Sequence, residues 1–149
     1  VVFAIGDAGA SQGIYLSVRP GGRLRPVINT SGSVGGAVVS GLADSAAIFA
    51  DNTPHAVMLA VDAVTKAVYL YRDGALSDTY LNAYAGGTPS RATDMYLGAN
   101  AGGTALESSR LTGLHFLVIP NAGLPSNLSE IANRLAATPH LPLTDMVIR

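Results

Sequence analysis

The stretch HAVMLAVDAVTKAVYLYRDGALSDT, residues 55–79, decides the fold. Two apolar arms, His55 to Asp62 and Lys66 to Arg72, flank the link Ala63-Val64-Thr65. Val57, Leu59 and Val61 share one face of the first arm, and Val68 and Leu70 share one face of the second, as a period of two requires. Asp73-Gly74 follows at once. Both central positions of a type I′ turn need positive φ, which Asp-Gly tolerates, so a third strand is predicted over Ala75 to Thr79. Tyr69 and Tyr71 alternate with Val68 and Leu70, and two readings stand for them: packing on the second sheet face, or contact with a partner.

Upstream, Asp51-Asn52-Thr53-Pro54 breaks the chain. Val1 to Gly6 reads as an apolar strand, and Ile14, Leu16 and Val18 alternate with Tyr15, Ser17 and Arg19 as a second. Pro20-Gly21-Gly22 supplies a turn, and Arg23 to Asn29 returns as the other arm. Pro26 cannot donate to a ladder, which predicts that this arm is an edge strand or irregular. Ala37-Val38-Val39, inside the Gly/Ser-rich segment Thr30 to Gly41, is a further short strand with Ala46 to Ala50 as its expected partner. Downstream, Tyr80 to Thr93 reads as a long surface loop. Asp94 to Gly98 forms a strand, Ala99 to Ser109 a second loop, and Leu111 to Ile119 a buried strand. One helix is expected, with Asn127 as N-cap, Glu130 at the third helical position, and Leu128, Ile131 and Leu135 on one face. It should stop near Thr138, before Pro139. His140 to Arg149 reads as an extended tail.

Composition narrows the function. The 149 residues carry a formal net charge of −1, so the basic surface that a non-specific nucleic-acid binder needs is missing. A 15.2 kDa chain that is 48% hydrophobic has enough apolar surface for a core and is not disordered. Cysteine is absent, which removes disulfides, thiol catalysis and thiolate metal sites. No apolar stretch approaches the roughly 20 residues that cross a bilayer as a helix, so no membrane insertion is expected. No signal peptide is legible, and the start at Val1 to Ile5 looks like the middle of a strand, which suggests a fragment or processed product. Only 13% of residues are charged, with Lys66 as the sole lysine. Such a surface suits a chain packed against protein neighbours.

The order of signals is distinctive: the strand His55 to Asp62, the Tyr71-Arg72-Asp73-Gly74 hairpin, Tyr96-Leu97-Gly98, a Gly113-containing apolar strand, and a short leucine-bearing helix. It resembles the concanavalin A-like lectin/glucanase superfamily, especially its laminin G-like jelly-roll domains, over about Val1 to Ala137. The resemblance implies an all-β, antiparallel β-sandwich spanning residues 1–138 with one short C-terminal helix and an extended tail over 139–149. The core expected from the strand registers is Val57, Leu59, Val61, Val68, Leu70, Leu97, Leu114, Phe116 and Val118. Such domains carry further strands before the segment matching Val1 to Gly6. Their absence predicts an apolar edge near Val1 to Gly6 or Leu111 to Ile119, covered by upstream residues or by another chain.

The superfamily includes glycoside hydrolases, whose retaining members need two carboxyl groups about 5–5.5 Å apart. Their strand-borne Glu-x-Asp-x-x-Glu-like motif has no counterpart: the only glutamates are Glu107, in a polar loop, and the capping Glu130. His55, His115 and His140 lie in no nucleophile elbow and lack zinc-site spacing, so each reads as structural. Laminin G-like and lectin relatives often bind calcium, which points to the hard oxygen donors Asp51, Asn52, Asp94 and Asn100, residues that also suit turns and strand starts. In the Gly-rich loop, the aromatic faces of Tyr80 and Tyr84 and the donors of Asn82 and Arg91 are candidates to grip a glycan or protein. No catalytic residue is assigned. The expected function is a non-catalytic recognition or structural module of a larger extracellular or virion assembly, such as a phage tail fibre or capsid surface. The alternatives are a secreted or cell-surface carbohydrate-binding lectin module and an accessory domain of a larger glycan-active enzyme.

Overall fold

The computed structural model describes residues 3–7, 12–33, 36–49, 51–83, 95–97 and 123–137. In chain order the elements are β1 (Phe3–Asp7), β2 (Gln12–Arg19), β3 (Arg23–Ser33), β4 (Gly36–Gly41), β5 (Val57–Val61), β6 (Val68–Arg72), β7 (Ala75–Tyr80), β8 (Met95–Leu97) and α1 (Leu128–Ala137). The fold is all-β in class: two antiparallel sheets and one short helix. The chain divides into two compact units, Val1–Asp51 with Asn82–Ser109 and Asn52–Leu81 with Arg110–Arg149. No described helix is long and apolar enough to cross a membrane.

The first unit holds a five-stranded sheet in the order β4-β3-β2-β1-β8. Pro20-Gly21-Gly22 joins β2 to β3 with Gly22 N donating to Arg19 O at 3.1 Å. Gly21 takes the third turn position at φ 80°, the left-handed backbone that a type II turn puts there and that glycine adopts without strain. The turn sets a register in which Ile14 faces Ile28, Leu16 faces Pro26 and Val18 faces Leu24. Leu16, Leu24, Pro26 and Ile28 are buried, so this face carries the unit's core.

Pro26 corrects the expectation of an edge strand. β3 lies between β2 and β4. It tolerates the proline because the N–H and C=O of one residue in an antiparallel strand point to the same neighbour. Pro26 O accepts from Leu42 N, just beyond the last β3/β4 pair, Val27 and Gly41. The missing N–H therefore points past the end of β4 and removes no bond to β2. Residues 46–49 do not pair with β4 either. They follow it along β3: Ser45 N donates to Leu24 O, Phe49 N donates to Gly22 O, and Ile48 bridges Arg23. The fully buried Ser45 hydroxyl accepts from Leu24 N at 2.9 Å and donates to Ala47 O at 2.7 Å, which holds the segment where an apolar residue would leave two groups unpaired. Nor is β1 an open edge. Phe3 to Ile5 pair with β2 on one side and with β8 on the other. The second expected edge, Leu111 to Ile119, lies outside the described residues.

The second unit holds the sheet β5-β6-β7, with Leu59 facing Leu70 and Val61 facing Val68. The Asp73-Gly74 turn has φ 51° and 86°, as its sequence requires. Leu70 opposes Asp78 and Tyr71 opposes Leu76, so Ser77 is the extra residue of a bulge on β7. Val68, Leu70 and Tyr71 are buried on central β6. Leu59 and Val61 are half-buried and Val57 is 39% exposed, which corrects the expected core. β5 has a described neighbour on one side only, whereas β6 is flanked on both. The side chains of Leu97, Leu114, Phe116 and Val118 lie outside the described residues. Asn127 precedes α1 as expected: Ile131 N donates to its carbonyl, and its Nδ2 donates to Glu130 Oε2 at 3.2 Å, a side-chain pairing in place of the expected bonds to backbone N–H groups. Ile131 and Ala132 are buried, and Leu128 and Leu135 are half-buried. The helix crosses the Asp73-Gly74 turn so closely that a Cβ on Gly74 would lie 3.0 Å from Asn133 Cα.

Candidate functional site

Three polar clusters stand out among the described residues. The first follows from hairpin register. Because Val57 opposes Arg72, the pairing carried past the strand ends brings Ala56 to Asp73. Asp73 N donates to Ala56 O, and Ala56 N donates to Asp73 Oδ1, both at 2.9 Å. His55 then falls beside the same carboxylate, with Nδ1 2.8 Å from Asp73 Oδ2 and Nε2 2.9 Å from Thr53 Oγ1. Hydroxyl, imidazole and carboxylate thus lie in the order that a nucleophile relay uses.

The surroundings give that relay another role. Arg72 Nη2 lies 2.8 Å from His55 Nε2, and Arg72 Nε lies 3.3 Å from Nδ1, so the guanidinium spans the ring. With Nδ1–H donating to Asp73, Nε2 has one lone pair, and Arg72, which can only donate, competes with Thr53 for it. Beside the cluster, Ala56, Met58, Tyr71, Gly74 and Leu135 line a cavity of about 10 Å³, room for no more than one water. The arrangement straps the entry of β5 to the β6–β7 turn. Treating each histidine separately missed this network; extending the register two residues past β5 is the signal that finds it.

The second cluster is the β5–β6 connection. Asp62 is buried, and its Oδ1 accepts from Val64 N at 2.8 Å and Thr65 N at 3.1 Å. Burial pushes its carboxyl toward the neutral form, but hydrogen bonds from the Thr65 hydroxyl and from the backbone of Thr65, Val64 and Leu124 outweigh it. The group stays below the usual aspartate range. The carboxylate holds the backbone of the turn, at whose end Lys66 sits at φ 56°.

The third cluster lies on the first unit's sheet. Arg19 opposes Arg23 and Ser17 opposes Arg25, which places three arginines on one face. Asp44 reaches Arg25 Nε at 2.7 Å and Arg19 Nε at 3.7 Å. Arg23 Nη1 donates to Ser45 O at 2.6 Å and to Ala46 O. Sequence reading passed over this group, although the Pro20-Gly21-Gly22 turn sets its register.

Of the loop residues expected to hold a ligand, Tyr80 is the last residue of β7 and faces Val68, a correction to its place in a loop. Asn82 is exposed in a turn at φ 49°. Tyr84 and Arg91 lie outside the described residues. Of the calcium set, Asp51 and Asn52 are exposed, with Asn52 at φ 68° as a turn former; Asp94 and Asn100 lie outside the described residues. Among the described residues no three His, Cys, Asp or Glu side chains gather as metal ligands. Compared with protein-family models, curated proteins and solved structures, the chain matches none.

Proposed function

We propose that the chain is a non-catalytic recognition or structural module of a larger extracellular or virion assembly, such as a phage tail fibre or capsid surface. In this reading its two sheets form a jelly-roll sandwich of the concanavalin A-like, laminin G-like type. The observation that carries the proposal is the apolar exposure of β7 and the turn after it: Leu76 is 51% exposed and Leu81 71%. On a chain with so few charges, such side chains suit burial against protein neighbours. The His55 cluster supports the non-catalytic part, since Arg72 competes for the ring nitrogen that a general base would use.

Light scattering on the purified chain, repeated with Leu76→Lys and Leu81→Lys, tests the assembly role. Self-association or co-assembly that either lysine weakens is the expected outcome. A chain that stays monomeric alone and with its native neighbours, yet binds a glycan array, would replace the proposal with the lectin alternative. Polysaccharide hydrolysis in a reducing-end assay, lost in Glu107→Gln, would defeat the non-catalytic reading.

A further inference from the structure

We propose that the face formed by Arg19, Arg23 and Arg25 binds a carboxylate ligand, with Asp44 as the internal group that occupies part of the site. The site does not depend on the assembly role. Among the described residues three arginines stand against one aspartate, an excess of two positive charges on adjacent positions of β2 and β3. Like charges directly opposite one another destabilise a sheet, so the arrangement calls for a counter-charge.

The groups differ in how they are used. Arg23 is tied to the carbonyls of Ser45 and Ala46 and serves as fixed background charge. Arg25 engages Asp44 through Nε only, which leaves its terminal nitrogens, the pair that grips a carboxylate end-on, without a partner among the described residues. Arg19 is less satisfied still. Its Nε is closed off from solvent and makes no hydrogen bond, because Asp44, 3.7 Å away, is drawn toward Arg25. A buried donor without an acceptor is a cost that natural proteins avoid or use. The guanidiniums themselves remain accessible, with the Arg19 side chain 41% and the Arg25 side chain 33% exposed.

Asp44 identifies the ligand chemistry, since the acceptor already seated between the two arginines is a carboxylate. A second carboxylate would take the Arg25 terminal nitrogens and let Asp44 swing toward Arg19. The donor fork of arginine matches two carboxylate oxygens, and lysine would not reproduce it.

The test is calorimetric titration of the full chain with citrate, as a free carboxylate, and with a short Asp/Glu peptide, each against chloride at matched ionic strength. Saturable binding of either probe is expected, weakened about tenfold or more in Arg19→Gln and in Arg25→Gln, as loss of a charge-assisted pair implies. Asp44→Asn should act the other way and tighten binding, because it removes the negative charge that repels the incoming carboxylate. A purely structural Arg–Asp link predicts no such gain, and circular dichroism shows whether each variant folds. Tighter citrate binding points to a small-molecule source, and binding of the peptide alone points to an acidic protein segment. Failure of both probes to saturate, or binding indifferent to all three substitutions, overturns the proposal.

Discussion

Asp73 and Asp44 each lie beside an arginine, in different units of the chain, and each sits near the turn of a hairpin. Around Asp73 the register delivers matched partners: Oδ1 accepts from Ala56 N, and Oδ2 faces His55 Nδ1 at 2.8 Å and Arg72 Nε at 3.5 Å. Around Asp44 one carboxylate meets two arginines and leaves Arg19 Nε without a hydrogen bond. The same chemistry gives a closed strap in one place and an open electrostatic demand in the other. The difference arises because a backbone N–H, that of Ala56, helps satisfy Asp73, whereas Asp44 meets only side chains on a half-buried sheet face.

The largest expected effect tests how tightly the strap's turn is held. Gly74 sits at φ 86° under α1, while Gly21 sits at φ 80° with nothing near its missing Cβ. Gly21→Ala should cost only the left-handed penalty, about 1–2 kcal/mol. Gly74→Ala adds the clash with Asn133 and should cost about 2–5 kcal/mol in all, from that penalty plus overpacking. Urea denaturation of both variants checks this, and equal losses would show that α1 does not press on the turn.

Next comes Asp73 itself. Asp73→Ala strips acceptors from Ala56 N–H and from His55, and should cost about 1–3 kcal/mol, the usual range for donors left unmatched. Asp62 sharpens the comparison through pH. Its folded carboxyl is held below the usual aspartate value, so its stabilisation is fully present above the unfolded value of about 3.9 and is lost as pH falls through the lower folded value. Asp62→Asn should therefore be less stable than the parent at pH 7, by about 1–2 kcal/mol. The gap should close on acidification below about pH 4. Denaturant midpoints from pH 7 to pH 2 give the measurement, and a gap that widens in acid would reverse the sign assigned to Asp62.

Much of this architecture is legible in local sequence. Alternation placed β2, β5 and β6, Asp73-Gly74 placed its hairpin, and Asn127 with Glu130 placed the start of α1, because each signal depends on residues close in the chain. Long-range choices were harder to read. Pro26 reads as an edge signal until its missing N–H is seen to point past the end of β4, and residues 46–49 are held along β3 by a buried serine hydroxyl that no periodicity reports. Val57 reads as core from alternation, yet its exposure depends on which strand is central. The candidate clusters stood between these cases. Both the His55–Asp73 strap and the arginine face follow from counting pairs outward from a turn, which treating each residue by type does not do.

The smallest expected effect separates the two carboxylates most directly. If Asp44 is chiefly an occupant of a binding face, removing its charge should hardly change stability, because a partly exposed ion pair is worth about 0–1 kcal/mol. Asp44→Asn also deprives no backbone donor of its acceptor, since the partners of Asp44 among the described residues are the side chains of Arg19 and Arg25. Against that small loss stands the repulsion left among three arginines, which salt screens over about 8–10 Å near physiological ionic strength. The variant should thus lie within about 1 kcal/mol of the parent in moderate salt. In low salt the deficit should grow, as the unscreened arginines repel one another. A loss as large as that of Asp73→Ala, unmoved by salt, would make Asp44 a second structural strap and erase the contrast between the two regions.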